Sequence, residues 1–171
     1  MSKEAIPDPD YICRLIDAPR MVSEDLNELV WENIFVFQRP KEPEDRAKFP
    51  NGGPESVVWR KYAPTNNEVH SKGCQREIER RERDERDNKP NKMRYLGFIE
   101  AKVGEIRNLT NKRGHGFNVE HEPGNNQGNH HAEIHIKPGE TNDFDKTTDR
   151  PELIKLLKDH FGPLNKHSCN Q

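Results

Sequence analysis

No stretch of the chain approaches the roughly 18 consecutive apolar residues that a membrane-spanning helix needs, so no membrane association of that kind is expected. Apolar residues are scarce throughout: of 171 residues 30% are hydrophobic and 7% aromatic, against 34% charged. Such a chain can build one modest core and must carry long solvated loops. Cysteine is scarce as well, with Cys13, Cys74 and Cys169 far apart and odd in number. Without a Cys-x-x-Cys pair a thiolate zinc knuckle is not supported. The opening segment 1–10 is polar and punctuated by Pro7 and Pro9, unlike a secretion signal, so free thiols and a cytoplasmic setting are expected. The absence of Gly-x-x-x-x-Gly-Lys-Ser/Thr excludes a P-loop, and that of Gly-x-Ser-x-Gly excludes the nucleophile elbow of serine hydrolases. A dominant charge sign is missing too. The formal net charge is −2, which gives no global attraction to nucleic acid or membrane. The distribution is uneven, however: residues 72–113 hold 13 Lys+Arg against 8 Asp+Glu, net +5, and the remainder 15 against 22, net −7.

The length suits one domain over 1–171. Helical and extended segments follow one another without regular βαβ alternation, which predicts an α+β fold. The expected form is a small, mostly antiparallel sheet of four or five strands packed on two or three helices, with long polar loops. Residues 1–10 are expected to be a flexible arm and 165–171 a tail. Ser23 as N-cap, Glu24 and Asp25 in the first turn and apolar Leu26, Leu29 and Val30 predict a short helix near 24–32. Ile34-Phe35-Val36-Phe37 reads as a buried strand. Residues 38–55, rich in proline and carrying Gly52-Gly53, read as a long loop. Residues 56–62 return to strand around Val57, Val58 and Trp59.

Thr65-Asn66-Asn67-Glu68 has the form of a capping box, so a helix should begin at Asn66, and Gly73 is its expected end. The charge run 75–88 offers the helical pairs Glu77–Arg81, Glu79–Arg83 and Glu82–Arg86. Its only aliphatic residue is Ile78, so a projecting helix or mobile charged insertion is expected within 75–92. Tyr95–Ala101 reads as a strand, with a helix seeded after it by Val103 and Ile106. Residues 137–147 read as a polar loop. Asp149-Arg150-Pro151-Glu152 opens the last helix, with Asp149 as cap and Leu153, Leu156, Leu157 and Phe161 as buried stripe. Gly162 and Pro163 end it, and it is expected to cover the apolar side of the hairpin described next.

Residues 117–136 are the most informative stretch. Phe117 and Val119 alternate with Asn118 and Glu120, and Ala132, Ile134 and Ile136 alternate with His131, Glu133 and His135. That is the period of two strands with one buried face. The intervening Gly/Asn-rich segment with Pro123 supplies the turn. Matching the apolar faces sets Val119 opposite Ala132 and Phe117 opposite Ile134, and Glu120 across from His131. The other face then presents Glu120, His131, Glu133 and His135 together. Neighbours at i and i+2 stand roughly 7 Å apart at Cα. His131 with Glu133, or Glu133 with His135, plus Glu120, can therefore converge on one borderline divalent ion such as zinc or manganese. His121 and His130 flank the turn and, with Glu120, are candidate ligand-binding residues. The bland counterpart is a polar sheet face whose histidines and carboxylates merely pair with each other.

His131-Ala132-Glu133 matches the His-x-Glu of zinc nucleobase deaminases, but the Pro-Cys-x-x-Cys that family requires is missing, so membership is excluded. A catalytic Cys74 near His70 is disfavoured because Gly73 is expected to break the helix between them, and Cys169 near His167 because both fall on a tail. His160 is accounted for by the C-terminal end of its helix.

Two functions follow. The first is a small cytoplasmic binding or regulatory protein, with a protein partner and the hairpin as ligand site. The alternative is a metal-assisted hydrolase or nuclease in which an ion held on the Glu120/His131/Glu133/His135 face activates water. Nucleic-acid phosphates would be met through the basic segment 75–113.

Overall fold

The computed structural model describes residues 2–25, 28–124, 127–139 and 143–169. Outside the described residues lie Met1, Leu26 and Asn27 within the expected helix near 24–32, residues 125–126 of the hairpin turn, 140–142 of the polar loop and 170–171 of the tail. The strands are β1 (Tyr11–Ala18), β2 (Glu55–Trp59), β3 (Arg94–Lys102), β4 (Phe117–His121), β5 (His131–Ile136) and β6 (Asn165–Lys166). The helices are α1 (Trp31–Ile34), α2 (Pro43–Lys48), α3 (Asn66–Arg86), α4 (Val103–Arg107) and α5 (Asp149–His160). All strands join one antiparallel sheet in the order β4-β5-β2-β1-β3-β6. The fold is α+β, and the strand and helices beyond the expected number are short ones: β6 has two residues, α1 four and α4 five. No helix among the described residues is long and apolar enough to cross a membrane.

Alternation along the strands gives the sheet two unlike faces. On one, Ile12, Ile16, Val57, Ile99, Val119 and Ile134 belong to the main core, which takes in Ile34 of α1, Val103 and Ile106 of α4, and Leu153 and Leu157 of α5. The hairpin's apolar side and the last helix thus share one core. On the other face Cys13, Leu15, Val58, Tyr95 and Phe98 pack under Val69 of α3 as a smaller cluster.

The capping box at Thr65 forms as the sequence indicates, with Glu68 N–H donating to Thr65 Oγ1 and Thr65 N–H to Glu68 Oε2. The helix does not stop at Gly73. That glycine serves close packing: a Cβ there would come within 2.2 Å of the Tyr95 ring. The charge run continues α3 to Arg86 and is docked by an acid rather than by aliphatic residues. Buried Glu77 accepts the Tyr95 N–H at 3.0 Å, beside the point where the β1–β3 register shifts between Ile16 and Asp17. The expected pair Glu77–Arg81 forms at 3.7 Å.

Several local expectations are corrected. Among the described residues of the segment near 24–32 only Trp31 and Glu32 are helical, as the start of α1, while Ser23 N–H donates to Glu28 O and Val22 bridges Leu29. Ile34, Phe35 and Phe37 are buried as expected but form no strand. Their backbone groups are met by side chains instead. Buried Arg14 donates to Ile34 O at 2.7 Å and to the Glu55 carboxylate at 3.1 Å, and Glu55 accepts the amides of Val36 and Phe37. Burial pulls the Arg14 guanidinium down to about 10.

The expected loop 38–55 contains α2. The expected strand 56–62 ends at Trp59 and continues as a 3₁₀ turn, Arg60–Tyr62. Residues 2–10 are no loose arm: Ile6 is buried, Asp8 pairs with Arg107 at 2.8 Å and Asp10 accepts the Trp59 indole N–H at 2.8 Å. Asp149 is not a cap but a buried cross-link, accepting the Asn111 amide at 3.0 Å and the Asp145 N–H at 2.8 Å. Leu156 is only half-buried. The tail is part of the sheet, since β6 pairs with Gly97 and Phe98 of β3 and His167 N–H donates to Leu96 O.

Candidate functional site

The β4–β5 hairpin forms where the alternation indicates, but two residues out of the expected pairing: Val119 faces Ile134 and Phe117 faces Ile136. A slip of two keeps every side chain on its face while changing its neighbours. Glu120 therefore stands opposite Glu133, not His131, and Asn118 opposite His135. On its other edge β5 pairs with β2, setting Ser56 beside Glu133 and Val58 beside His131. The histidines of this polar face are buried rather than solvated. His131 and His135 are 7% and 4% exposed.

A glycine two residues before β2 tightens the site. Gly53 lies at φ +125° and so close to β5 that a Cβ would meet the His135 Cβ at 2.6 Å. Phe49, just after α2, sets its ring edge-on to His135 at 4.8 Å. The α2 segment and the N-terminal residues thus wall a cleft of about 600 Å³ over the hairpin, lined by Lys3, Lys48, Phe49, Glu120, Glu122, Glu133 and His135 among others. Lys3 pairs with Glu122 at its mouth.

The electrostatics of the cleft are unusual in one respect. Burial, followed by the neighbouring carboxylates Glu122 and Glu120 and only partly offset by Lys3, pushes the Glu133 carboxyl up to about 7. Burial also lowers His135 below the ordinary histidine range. The Asn118 amide donates to His135 Nε2 at 3.1 Å. That leaves the buried His135 Nδ1 with no hydrogen-bond partner among the described residues.

The remaining candidates separate. His131 is committed to the fold: Nδ1–H donates to Glu122 O at 2.7 Å and Nε2 accepts from the Ser56 hydroxyl at 3.1 Å, while Glu133 lies 4.0 Å away. His121 falls on the opposite sheet face. It accepts the Glu4 N–H at 3.0 Å, donates to Asn129 O at 2.8 Å and packs against Trp59 and Tyr62. It is a structural histidine and does not join Glu120 in the cleft. His130 lines a smaller recess of about 220 Å³ with His131, Lys72 and Arg76, where burial and Lys72 hold it down to about 4. The structure therefore brings Glu120, Glu133 and His135 to one cleft, places His121 and His130 elsewhere, and ties up both ring nitrogens of His131 beside Glu133.

Among the described residues, the one group of three His, Cys, Asp or Glu whose ligand atoms lie within 4.8 Å of one another is not on the hairpin but at Cys74, His167 and Cys169. The expected free thiols are corrected there, because Cys74 and Cys169 form a disulfide and only Cys13 is free and buried. The free thiols behind the expected cytoplasmic setting are therefore cut to one of three. In the basic segment, arginines of α3 are engaged within the fold: Arg76 with Asp17, and Arg80 with Asp84 at 3.6 Å. Comparison with protein families, with curated proteins and with solved structures found no match.

Proposed function

We propose that this protein is a small binding protein, regulatory or accessory in role, whose hairpin cleft takes up a group bearing an ammonium or guanidinium charge. The observation that carries this is the cross-strand pair Glu120–Glu133, with Glu122 beside it, at a cleft over the buried His135. Like charges directly opposite one another on paired strands are destabilising. A protein retains such an arrangement at little benefit to its fold, whereas a bound cation would ionise Glu133 and pair with both carboxylates in charge-assisted hydrogen bonds. Phe49, Pro40, Pro54 and Pro138 supply apolar wall for the aliphatic part of such a ligand, the usual division of labour in a binding cleft.

The hydrolase or nuclease alternative has less support. Of its two ligand sets, the one with His131 uses a ring both of whose nitrogens are engaged, and the one with His135 does not bring Glu120, Glu133 and His135 close enough to make a three-ligand group among the described residues.

The test is chemical-shift mapping with alkylguanidinium and alkylammonium probes against carboxylate and phosphate probes of similar size. Cationic probes should shift Asn118, Glu120, Glu133 and His135, and Glu133→Gln should weaken them about tenfold or more. A basic peptide tested beside a free polyamine tells whether the cation belongs to a protein partner or a small molecule. Preference for the anionic probes, or shifts confined to other surfaces, would overturn the proposal.

A further inference from the structure

The cluster at Cys74, His167 and Cys169 lies on the far side of α3 from the cleft and has a chemistry of its own. We infer that Cys74, Cys169 and His167 form a redox-gated site for a soft or borderline divalent cation of the zinc class, closed as a disulfide when oxidised and able to ligate metal when reduced.

The geometry supports ligation beyond a simple staple. A disulfide needs two sulfurs, yet the ligand atoms of all three residues lie within 4.8 Å of one another. Bonds of about 2.3 Å to sulfur and about 2.0 Å to imidazole nitrogen place tetrahedral ligands roughly 3.5–3.8 Å apart. Once the S–S bond is cut, movements on the order of an ångström suffice to reach that spacing. Two thiolates and an imidazole are the donor set that selects zinc over harder ions.

The cluster's assembly does not depend on the S–S bond. β6 is registered on β3 by backbone pairing, and His167 N–H donates to Leu96 O at 2.9 Å. His70, one helical turn before Cys74, adds a second tie. The Tyr95 hydroxyl donates to His70 Nδ1 at 2.9 Å, and His70 Nε2–H donates to Asn165 Oδ1 at 3.0 Å. With both nitrogens used, His70 is not a ligand. It stacks its ring on His167 at 4.3 Å, 10° from parallel, and so acts as a positioning residue for that imidazole. All three candidate ligands are half-buried, and His167 also lines a recess of about 350 Å³ with Leu96, Leu164, Lys166 and Ser168, so an ion has a route in.

The step balances with a dithiol reductant as co-reactant. Two electrons from the dithiol cleave the Cys74–Cys169 bond and leave two thiols, while the dithiol becomes a cyclic disulfide. Binding of the divalent cation then displaces one proton from each thiol to solvent, giving two metal–sulfur bonds and one bond to the neutral His167 imidazole. Oxidation of the two thiolates by a disulfide oxidant reverses the sequence and releases the ion.

The full chain, reduced under argon and freed of reductant, is titrated with Co²⁺ as a spectroscopic stand-in for Zn²⁺. The expected result is one ion per chain with thiolate-to-cobalt charge-transfer absorption, bleached by added Zn²⁺ and absent from the oxidised protein. Cys74→Ser and Cys169→Ser should lose the absorption. His167→Ala keeps both cysteines, and formation of its disulfide on oxidation reports an intact fold. Its reduced form should bind at least about tenfold more weakly. A reduced wild type without charge-transfer absorption overturns the inference, whatever the variants do. Unchanged affinity in a folded His167→Ala overturns it as well, leaving the cysteines as a staple only.

Discussion

Glu120 on β4 and Glu133 on β5 are direct cross-strand partners, so two carboxylates face one cleft side by side. The cost of this arrangement is visible in Glu133, which is held up to about 7 from an ordinary 4.5 by burial and by Glu122 and Glu120. Between those values the folded protein keeps a proton that the unfolded chain has released. The stability owed to Glu133 is therefore complete below pH 4.5 and is lost as pH rises through about 7. His135, lowered by burial, acts in the opposite sense, its contribution falling as pH drops through the histidine range. Comparing wild type with Glu133→Gln isolates the carboxylate. The variant should gain on wild type by on the order of 2 kcal/mol as pH rises across that window, taking about 1.4 kcal/mol per pKa unit and discounting for screening at a partly solvent-facing group. Denaturant midpoints at several pH values provide the check, and parallel pH profiles would contradict the assignment.

Gly73 lies against the Tyr95 ring, where a Cβ would meet ring atoms at 2.2–2.4 Å. Gly73→Ala should force α3 off β3 and cost about 1–3 kcal/mol, as overpacking does, despite alanine's better helix propensity. An unchanged or raised urea midpoint would show that helix and strand are not in close contact.

Arg14 and Glu55, with side chains 6% and 13% exposed, form a buried pair that also serves the backbone of Ile34, Val36 and Phe37. Glu55→Ala strips the guanidinium of its counter-charge and should cost about 3–5 kcal/mol. Glu55→Gln keeps the Oε1 acceptor that serves both amides and loses only the oxygen facing Arg14, so it should cost less. Equal losses in the two variants would mean that the missing counter-charge accounts for the whole effect and that the amide contacts add nothing.

Within α5, Leu157 is fully buried and Leu156 half-buried. Leu157→Ala should cost about 2–5 kcal/mol and Leu156→Ala less than half of that. The reverse order in equilibrium unfolding would mean that the helix is rotated about its axis.

What was legible in the sequence was local. The two-residue period of Phe117/Val119 and of Ala132/Ile134/Ile136 marked the hairpin and its faces, and Thr65 with Glu68 marked a helix start. What was not legible depended on partners distant in the chain. β5 is interior because β2 pairs with its free edge, and residues distant in the chain, Ser56 and Phe49 among them, pack on His131 and His135. Residues 34–37 carry the apolar pattern of a strand, yet Arg14 and Glu55 take the hydrogen bonds that a neighbouring strand would have taken. Residues 75–86 have almost no aliphatic face, and Glu77 docks them by accepting an amide at a β-bulge, which no hydropathy pattern reveals. The Cys74–Cys169–His167 cluster exists because a two-residue strand brings the tail back to α3 across a separation of 95 residues. Glycine at position 73 suggested a helix end, when its lack of a side chain serves the Tyr95 contact.

Recognition of a cation by the hairpin cleft through Glu133 is tested most directly by proton linkage. Binding a guanidinium requires the ionised carboxylate, so the affinity of an alkylguanidinium probe should rise between pH 6 and pH 8 with a midpoint near 7, close to the value about which Glu133 titrates. Calorimetry in buffers of different ionisation enthalpy should register a proton released on binding at pH 6. Glu133→Gln should abolish both the release and the pH dependence. Equal affinity at pH 6 and pH 8, or the same pH dependence in Glu133→Gln as in wild type, would contradict the claim.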